Sequence, residues 1–524
     1  MDYSTNVSDE QPQLNFSTII SLGLISCWLG AFQTSTAADS NLLLSDRADN
    51  VATMIFSPDG RQLLVARNDS TITLWDTTTG QSLAKLSADG TKHLAFSADG
   101  WMFAAVGQDG RYRVWEAATA DELVAYTPQH PDGFSYRFTP DFDQLVIGTK
   151  LGKLEFVEVA TGKNHRSINA VGLGAITATA FSSQKTFLTA TGFPSNGIRF
   201  WDLSTGEPSQ KLKNLAPHSS TPRSLYQELR FSPDDRYLAS MSDQLGLTLY
   251  DLSNSMPRNV EQCNRPGSLI FTPDGRQLIY LTTRDEKPEI VWIEIATGEV
   301  AHRMFTAHSQ SRGLHALCFR DRELTAAILL EHGLVVQTID RPEIPSQPDL
   351  LQIENTEVAW QMLGSRDATA GTTIMTTLVE AEDRGVDWIR AKLEAPSFTS
   401  KFSIRVNQLI QALGHERYTV RAKAMRSLQQ MGPLAGPVMQ RALARNPDPE
   451  TARRLERLLA LIPDSLWGLN GNTLCLVRLV AVLETIGTTE AVDLLEQIAK
   501  QNPDTRVLQE TKASLQRFKF QGAQ

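Results

Sequence analysis

The pattern Phe-Ser/Thr-Pro-Asp recurs along the chain with variations, anchored at Phe56, Phe96, Phe138, Phe181, Phe231, Phe271 and, in weaker form, Phe319. The intervals are 40, 42, 43, 50, 40 and 48 residues. Such a period in a chain of β texture is what four-stranded propeller blades produce. Helical repeats of similar length would place apolar residues at three- and four-residue spacing.

Each copy divides into strands and turns by its own chemistry. VATMI precedes the first anchor as an apolar strand, and Pro58, Asp59 and Gly60 supply the fixed φ, the side-chain acceptor and the permissive backbone of a tight reversal. QLLVA is then the second strand, Asn68 and Asp69 the next turn, and TITLWD the third strand, with Thr79-Gly80 turning into the outer strand QSLAKL. Leu74 and Trp75 point to opposite faces, and both faces are apolar. A sheet wet on one side would alternate apolar with polar residues, so each sheet is expected to be covered on both sides.

Leu74-Trp75-Asp76, Val114-Trp115-Glu116, Phe200-Trp201-Asp202 and Leu249-Tyr250-Asp251, with Val291-Trp292 and Glu294 as an approximation, resemble the third-strand signature of WD repeats. The copies at Phe156-Val157-Glu158 and Val335–Asp340 lack the tryptophan, and the Gly-His pair common between blades of that family is missing. The resemblance implies a seven-bladed β-propeller with Trp75, Trp115, Trp201 and Trp292 in structural positions, stabilised more by apolar packing than by a buried polar network. Seven anchors supply only six internal outer strands. SNLLLS, Ser40 to Ser45, is expected to close the ring as the outer strand of the last blade and to remove an exposed sheet edge.

Past Asp340 the texture changes. Pro342, Pro345 and Pro348 make a short stiff connector. Beyond it apolar residues fall at helical spacing: Val420, Ala424, Leu428 and Met431, then Leu476, Val480 and Leu483, then Ala491, Leu494, Leu495 and Ile498. TVRAKAMRSLQQMGPLAGPVMQRAL and LVRLVAVLETIGTTEAVDLLEQIA resemble one another and resemble HEAT-type helical pairs; Thr356 to Glu380 reads as a degenerate earlier pair. The expected organisation is a leader over residues 1–39, a propeller over 40–340, a linker over 341–350 and an α-helical HEAT-like domain over 351–524, an arrangement that resembles a class of bacterial WD-repeat proteins.

The leader is open to several readings. No charge occurs between Glu10 and Asp39, and the apolar run Phe16 to Phe32 is followed by TSTAADS, as in a signal peptide cleaved near Ala38. The preceding segment is acidic, through Asp2, Asp9 and Glu10, where a signal peptide carries basic residues. Leu24-Ile25-Ser26-Cys27 resembles a lipobox whose cysteine would be lipidated, and retained residues 16–32 would associate with a membrane. Export to a periplasmic or membrane-anchored location is the expectation if the segment is a signal, and a cytoplasmic location otherwise.

Composition argues against most chemistry. The formal charge of −9 sits in the front of the chain, where Asp2 to Glu343 hold 39 acidic and 29 basic residues, which disfavours a nucleic-acid partner there. Cys27, Cys263, Cys318 and Cys475 share no metal-type spacing. Gly133-Phe134-Ser135-Tyr136-Arg137 approaches a nucleophile elbow but lacks its closing glycine, so Ser135 is expected in a solvated loop. VATGKNHRS and IATGEVAHR lack the docking tryptophan of quinone-dependent propellers, and His302, His308 and His315 lack the spacing of paired ligands. No cofactor or metal set is indicated, and a cryptic propeller enzyme is the weakest reading.

The favoured reading is a non-catalytic scaffold whose protein or peptide partner meets loops on a propeller rim. The longest insertions, Leu215 to Gln227 and Ala307 to Gly313, nominate His218, Arg223, His308 and Arg312, with Arg111 and Arg113 as further charge. The alternative is nucleic-acid binding by the tail, where nine basic residues between Glu416 and Arg457 face four acidic ones and Tyr418 is the aromatic among them.

Overall fold

The computed structural model describes residues 42–45 and 50–521, less 89, 109, 128–132, 171, 184–185, 195–196, 211, 213–214, 216–225, 243–245, 253–255, 262–265, 285–286, 307–310, 322, 332, 341–345, 353–355, 395–405, 432–437, 440–441, 444–447, 462–470 and 503. The leader with Cys27, and Cys263, lie outside the described residues. Among the described residues no helix is long and apolar enough to cross a membrane.

Seven antiparallel sheets follow one another, and the first strand of each carries one of the phenylalanine anchors at or next to its end. Blade 1 is Val51–Phe56, Gln62–Arg67, Thr71–Asp76 and Ser82–Ser87 in spatial order. Blade 7 holds Ser311–Arg320, Glu323–Leu330 and Gly333–Ile339, and its fourth strand is Leu42–Ser45, with Leu42 opposite Val336 and Leu43 opposite Val335. The ring is therefore closed by the strand expected to close it, which pairs an edge that would otherwise be open.

Seven apolar cores each straddle two consecutive blades. Trp115, Trp201 and Tyr250 are buried, each against the preceding blade, and the partly buried Trp75 packs on blade 7 in the same way. Blade 6 differs. Leu63 lies opposite Trp75 and Leu278 lies opposite Ile293, so Ile293 holds the signature position and Trp292 faces the following blade instead. Trp292 thus packs beside Leu317 and Leu324 of blade 7 and edge-on to His302, with ring centroids 5.5 Å apart.

Blade 4 also departs from expectation. Among the described residues it has three strands, Gly174–Phe181, Phe187–Pro194 and Ile198–Asp202, and its outer edge is met by isolated bridges from Trp201 to Pro208 and from Ile198 to Leu215.

The recurring tetrapeptide is explained by its turn. Ser57 Oγ donates to Asp59 Oδ1 at 2.6 Å and accepts from Gln62 N at 2.9 Å, while the Asp59 carboxylate accepts from Arg61 N at 3.1 Å. Ser97-Asp99, Ser232-Asp234 and Thr272-Asp274 repeat these bonds. The position after the aspartate takes positive φ, as Gly60, Gly100, Phe142, Asp235 and Gly275 do. At the end of the third strand Asp76 accepts from Thr78 N and Thr79 N at 2.7 and 2.9 Å, and Asp202 accepts from Ser204 N at 2.9 Å, so these acids hold the turn into the outer strand.

The tail is helical. Thr356–Gly364 and Ala368–Glu380 form the expected early pair, followed by Asp383–Glu394, Tyr418–Met431, Pro449–Leu461, Gly471–Ile486, Thr489–Gln501 and Thr505–Gln521. Residues 474–483 of Gly471–Ile486 are all buried except Leu476, so this helix is apolar almost all round and demands cover on every side. Helices Thr356–Gly364, Ala368–Glu380, Thr489–Gln501 and Thr505–Gln521 provide it in one core. The described residues between 406 and 459 build a second core around Leu413, Leu428 and Leu455. Packing is therefore not sequential from pair to pair.

The first of these cores docks on blades 5 and 6. Arg478, 1% exposed, projects from Gly471–Ile486 and clamps Glu294, Nε to Oε1 at 2.8 Å and Nη2 to Oε2 at 2.7 Å, while Nη1 donates to the carbonyls of Leu363 and Ser365 at 2.7 and 2.9 Å. Arg276, in the proline turn of blade 6, reaches Glu484 at 2.6 Å and Ser514 at 2.9 Å. Thr369 Oγ1 donates to Ala301 O at 3.2 Å on the outer strand of blade 6.

Candidate functional site

Antiparallel order assigns every loop to one of two rims. The proline turns and the third-to-fourth turns lie on one rim; the second-to-third turns and the connections between blades lie on the other. The charged and aromatic ring residues that grip the tail, Arg236, Tyr237, Arg276 and Glu294, are at or beside turns of the first rim, and Ala301 lies two residues into the outer strand of blade 6 from the same end. Among the described residues the tail meets the ring at that rim on blades 5 and 6, and no hydrogen bond or ion pair joins it to the connector rim.

The described ends of the insertions named from sequence lie at the connector rim. Leu215 pairs with Ile198, and Tyr226 with Ser242; Phe305 pairs with Glu289, and Ser311 with Leu330, all at that end of their blades. His218, Arg223 and His308 lie outside the described residues, and Arg312 is in the strand Ser311–Arg320 with its side chain outside them. Arg111 ends the second-to-third turn of blade 2, its carbonyl accepting from Gly107 N at 2.8 Å. Arg113 is within the strand Tyr112–Glu116, 3.8 Å from Glu122, and is not a rim residue.

Sequence reading missed an apolar spot on this rim. Phe134 is 49% exposed and Leu151, in the second-to-third turn of blade 3, is 87% exposed. The register slips between Gly133 and Ser135, so Phe134 occupies a β-bulge that turns it out of the sheet. The Lys150 ammonium sits 5.5 Å from the Phe134 ring centroid. Leu151 was a readable signal: the equivalent turn of blade 1 is Asn68-Asp69-Ser70, all polar. Similar slips recur at the start of the first strand in blades 1, 4, 5, 6 and 7.

The catalytic expectations resolve plainly. Ser135 is buried within the strand Gly133–Phe138, beside Gly148 and Ile176, and is not the solvated loop serine expected. His93, on the first strand of blade 2, is held neutral at ordinary pH: burial, with Arg137 and Lys92 nearby, lowers its pKa to about 4. Burial likewise pushes the Cys318 thiol up to about 12. Among the described residues no group of three His, Cys, Asp or Glu side chains is gathered as metal ligands would be.

In the basic segment of the tail, Arg421 donates to the carbonyls of His415 and Glu416 at 2.8 and 2.6 Å, and Arg454 to the carbonyl of Leu413 and to Glu450. These guanidinium groups close helix ends. Arg441 and Arg445 lie outside the described residues.

Residues 42–76 match the family described as WD domain, G-beta repeat. That segment begins at the closing strand and runs through the third strand of blade 1, so the matched repeat spans the point where the ring closes. The WD repeat-containing protein SL1-17 of Schistosoma mansoni is 28% identical over 139 residues, which is 26% of this chain. The alignment spans 43% of that relative's own length. The chain thus carries a WD-type repeat within a seven-bladed β-propeller that is followed by a helical region.

Proposed function

We propose that the protein is a non-catalytic WD-repeat scaffold that holds a protein or peptide partner on its connector rim. The observation that carries this reading is the exposure of Phe134 and Leu151, with Lys150 beside Phe134, on the rim to which the described residues of the tail make no hydrogen bond or ion pair. An exposed aromatic and an exposed aliphatic side chain on one rim are of the residue types that anchor interfaces. His218, Arg223, His308 and Arg312 in the two long insertions would supply further specificity. WD propellers typically serve as interaction scaffolds, which agrees with this reading.

In the same reading the tail is a HEAT-like buttress of bacterial type, fixed to the opposite rim, and the leader directs export. Affinity capture from the native cell, with wild type beside a variant carrying Phe134→Ser and Leu151→Ser, tests the scaffold claim. A partner retained by wild type and lost by the variant supports it; equal capture by both rejects the rim. N-terminal sequencing of the mature protein tests export.

A further inference from the structure

Closing a ring of seven sheets leaves a channel on its axis, bordered by the first strand of every blade. Register aligns one position of these strands, the residue before the phenylalanine anchor. It is apolar in other blades, as at Ile55, Ala180 and Ile270, and is arginine at Arg137 of blade 3 and Arg230 of blade 5. Ala180 belongs to blade 4, so at this level no long side chain stands between the two arginines.

The Arg230 side chain is 43% exposed and that of Glu228, on the same strand, 21%. An innermost strand meets solvent only in the channel and at its mouths. Arg230 gives Nε and Nη2 to Glu228 Oε1 at 3.2 and 2.7 Å, which leaves its Nη1 without an acceptor among the described residues. Arg137 makes no side-chain hydrogen bond or ion pair among the described residues. Its Nε is buried without an acceptor, whereas the forked end, Nη1 and Nη2, keeps the exposure of a partly buried side chain.

The two guanidinium groups act on each other. Burial first, then the Arg230 charge, holds the pKa of Arg137 below the ordinary arginine value, and Glu228 opposes them. Two arginines against one glutamate leave this group with an excess of positive charge, and burial keeps the neighbouring His93 neutral at ordinary pH. A like-charged pair in a confined space is stabilised by an anion placed between its members.

We propose that the central channel binds a phosphate dianion, free or as the monoester of a small molecule, between the forked end of Arg137 and Nη1 of Arg230. A tetrahedral group presents oxygens in several directions and can accept from guanidinium groups on two blades at once, whereas a planar carboxylate is satisfied by one. The site does not depend on the scaffold reading.

The test uses the full chain in chloride buffer at slightly alkaline pH, titrated calorimetrically with inorganic phosphate, phenyl phosphate and acetate. The expected result is saturable binding of one inorganic phosphate per chain, with acetate weaker by about tenfold or more. Phenyl phosphate bound as well as inorganic phosphate assigns the site to phosphorylated small molecules, and exclusion of the ester assigns it to the free ion; either supports the site. Arg137→Gln should weaken phosphate binding by about tenfold or more. That change also removes a charge with no counter-ion, so without phosphate the variant should melt no lower than wild type, and only wild type should melt higher when phosphate is added. Glu228→Gln frees the whole Arg230 guanidinium and should tighten phosphate binding by about tenfold, a gain that a damaged fold would not give. Absence of saturable phosphate binding to wild type, acetate bound as tightly, undiminished binding by Arg137→Gln, or no tightening by Glu228→Gln would overturn the proposal.

Discussion

Arg478 and Glu294 meet as a two-point ion pair across 184 residues of chain, one from the tail and one from the end of the third strand of blade 6. Glu294 occupies the place that Asp76 holds in blade 1, and it too accepts from the following turn, from Thr297 Oγ1 at 2.8 Å. A side chain that elsewhere only closes a turn here also anchors a domain. Arg478→Ala leaves this carboxylate buried and uncompensated, a change that costs about 3–5 kcal/mol. The expected outcome is loss of protection from hydrogen exchange across Gly471–Ile486 and Thr505–Gln521 before any loss in the blades. A variant with wild-type exchange would contradict the assignment.

Gly371 supplies a test in which two effects have opposite sign. A glycine inside a helix is less favourable than alanine by about 0.5–1 kcal/mol, so propensity alone makes Gly371→Ala stabilising. A methyl group there would collide with the Arg478 guanidinium, which is pinned at both ends by Glu294 and by carbonyls. The collision should win, and calorimetry should record a lower melting temperature for Gly371→Ala.

Acid should release the tail through Glu484. Burial opposes its ionisation, but hydrogen bonds from Arg517 and Ser514 and the charges of Arg276 and Arg517 outweigh that, and its pKa falls from 4.5 to about 2. A depressed folded-state value contributes stability that is present above the unfolded pKa of 4.5 and is lost as pH falls toward 2. The full contribution is on the order of 3 kcal/mol. Glu510 has the opposite sign: burial raises its pKa, so its contribution is present at low pH and lost as pH rises through the raised value. Denaturant melts at stepped pH should show the acid limb flattened in Glu484→Gln.

The rim spot should be separable from the fold. Phe134→Ala combined with Leu151→Ala is expected to weaken partner affinity by about 2 kcal/mol or more, as loss of interface anchors does, while stability moves by only about 0.5 kcal/mol. Surface plasmon resonance on the captured partner, beside a thermal melt, measures both. A large loss of stability would place these side chains in the core.

The propeller was legible because its information is local: the Ser57, Asp59 and Gly60 turn, the apolar strands and the spacing of anchors all lie within one repeat. Trp292 was misplaced by one residue because IVWI is apolar on both faces and offers no alternation. Its register is fixed by the later turn, where Glu294, Thr297 and Gly298 fall in step with Asp76, Thr79 and Gly80.

Tail docking was not legible, since Arg276 and Glu484 carry no mutual signal across 208 residues. One clue stood in the open. Arg478 interrupts the run LCLVRLVAVL, and a lone arginine in an otherwise apolar helix implies a buried partner. The spot at Phe134 depended on a bulge, which an alternating pattern does not announce.

The central claim is that recognition uses the rim opposite the tail. Thr369→Cys with Ala301→Cys places cysteines at the two residues joined by the 3.2 Å bond from Thr369 Oγ1 to the Ala301 backbone carbonyl, and mass spectrometry is used to select the oxidised protein in which they are joined, with the tail locked in place. Partner affinity of the locked protein is the decisive measurement. The account predicts the same affinity before and after reduction; loss of binding on locking, recovered by reduction, would show that the partner needs the covered rim.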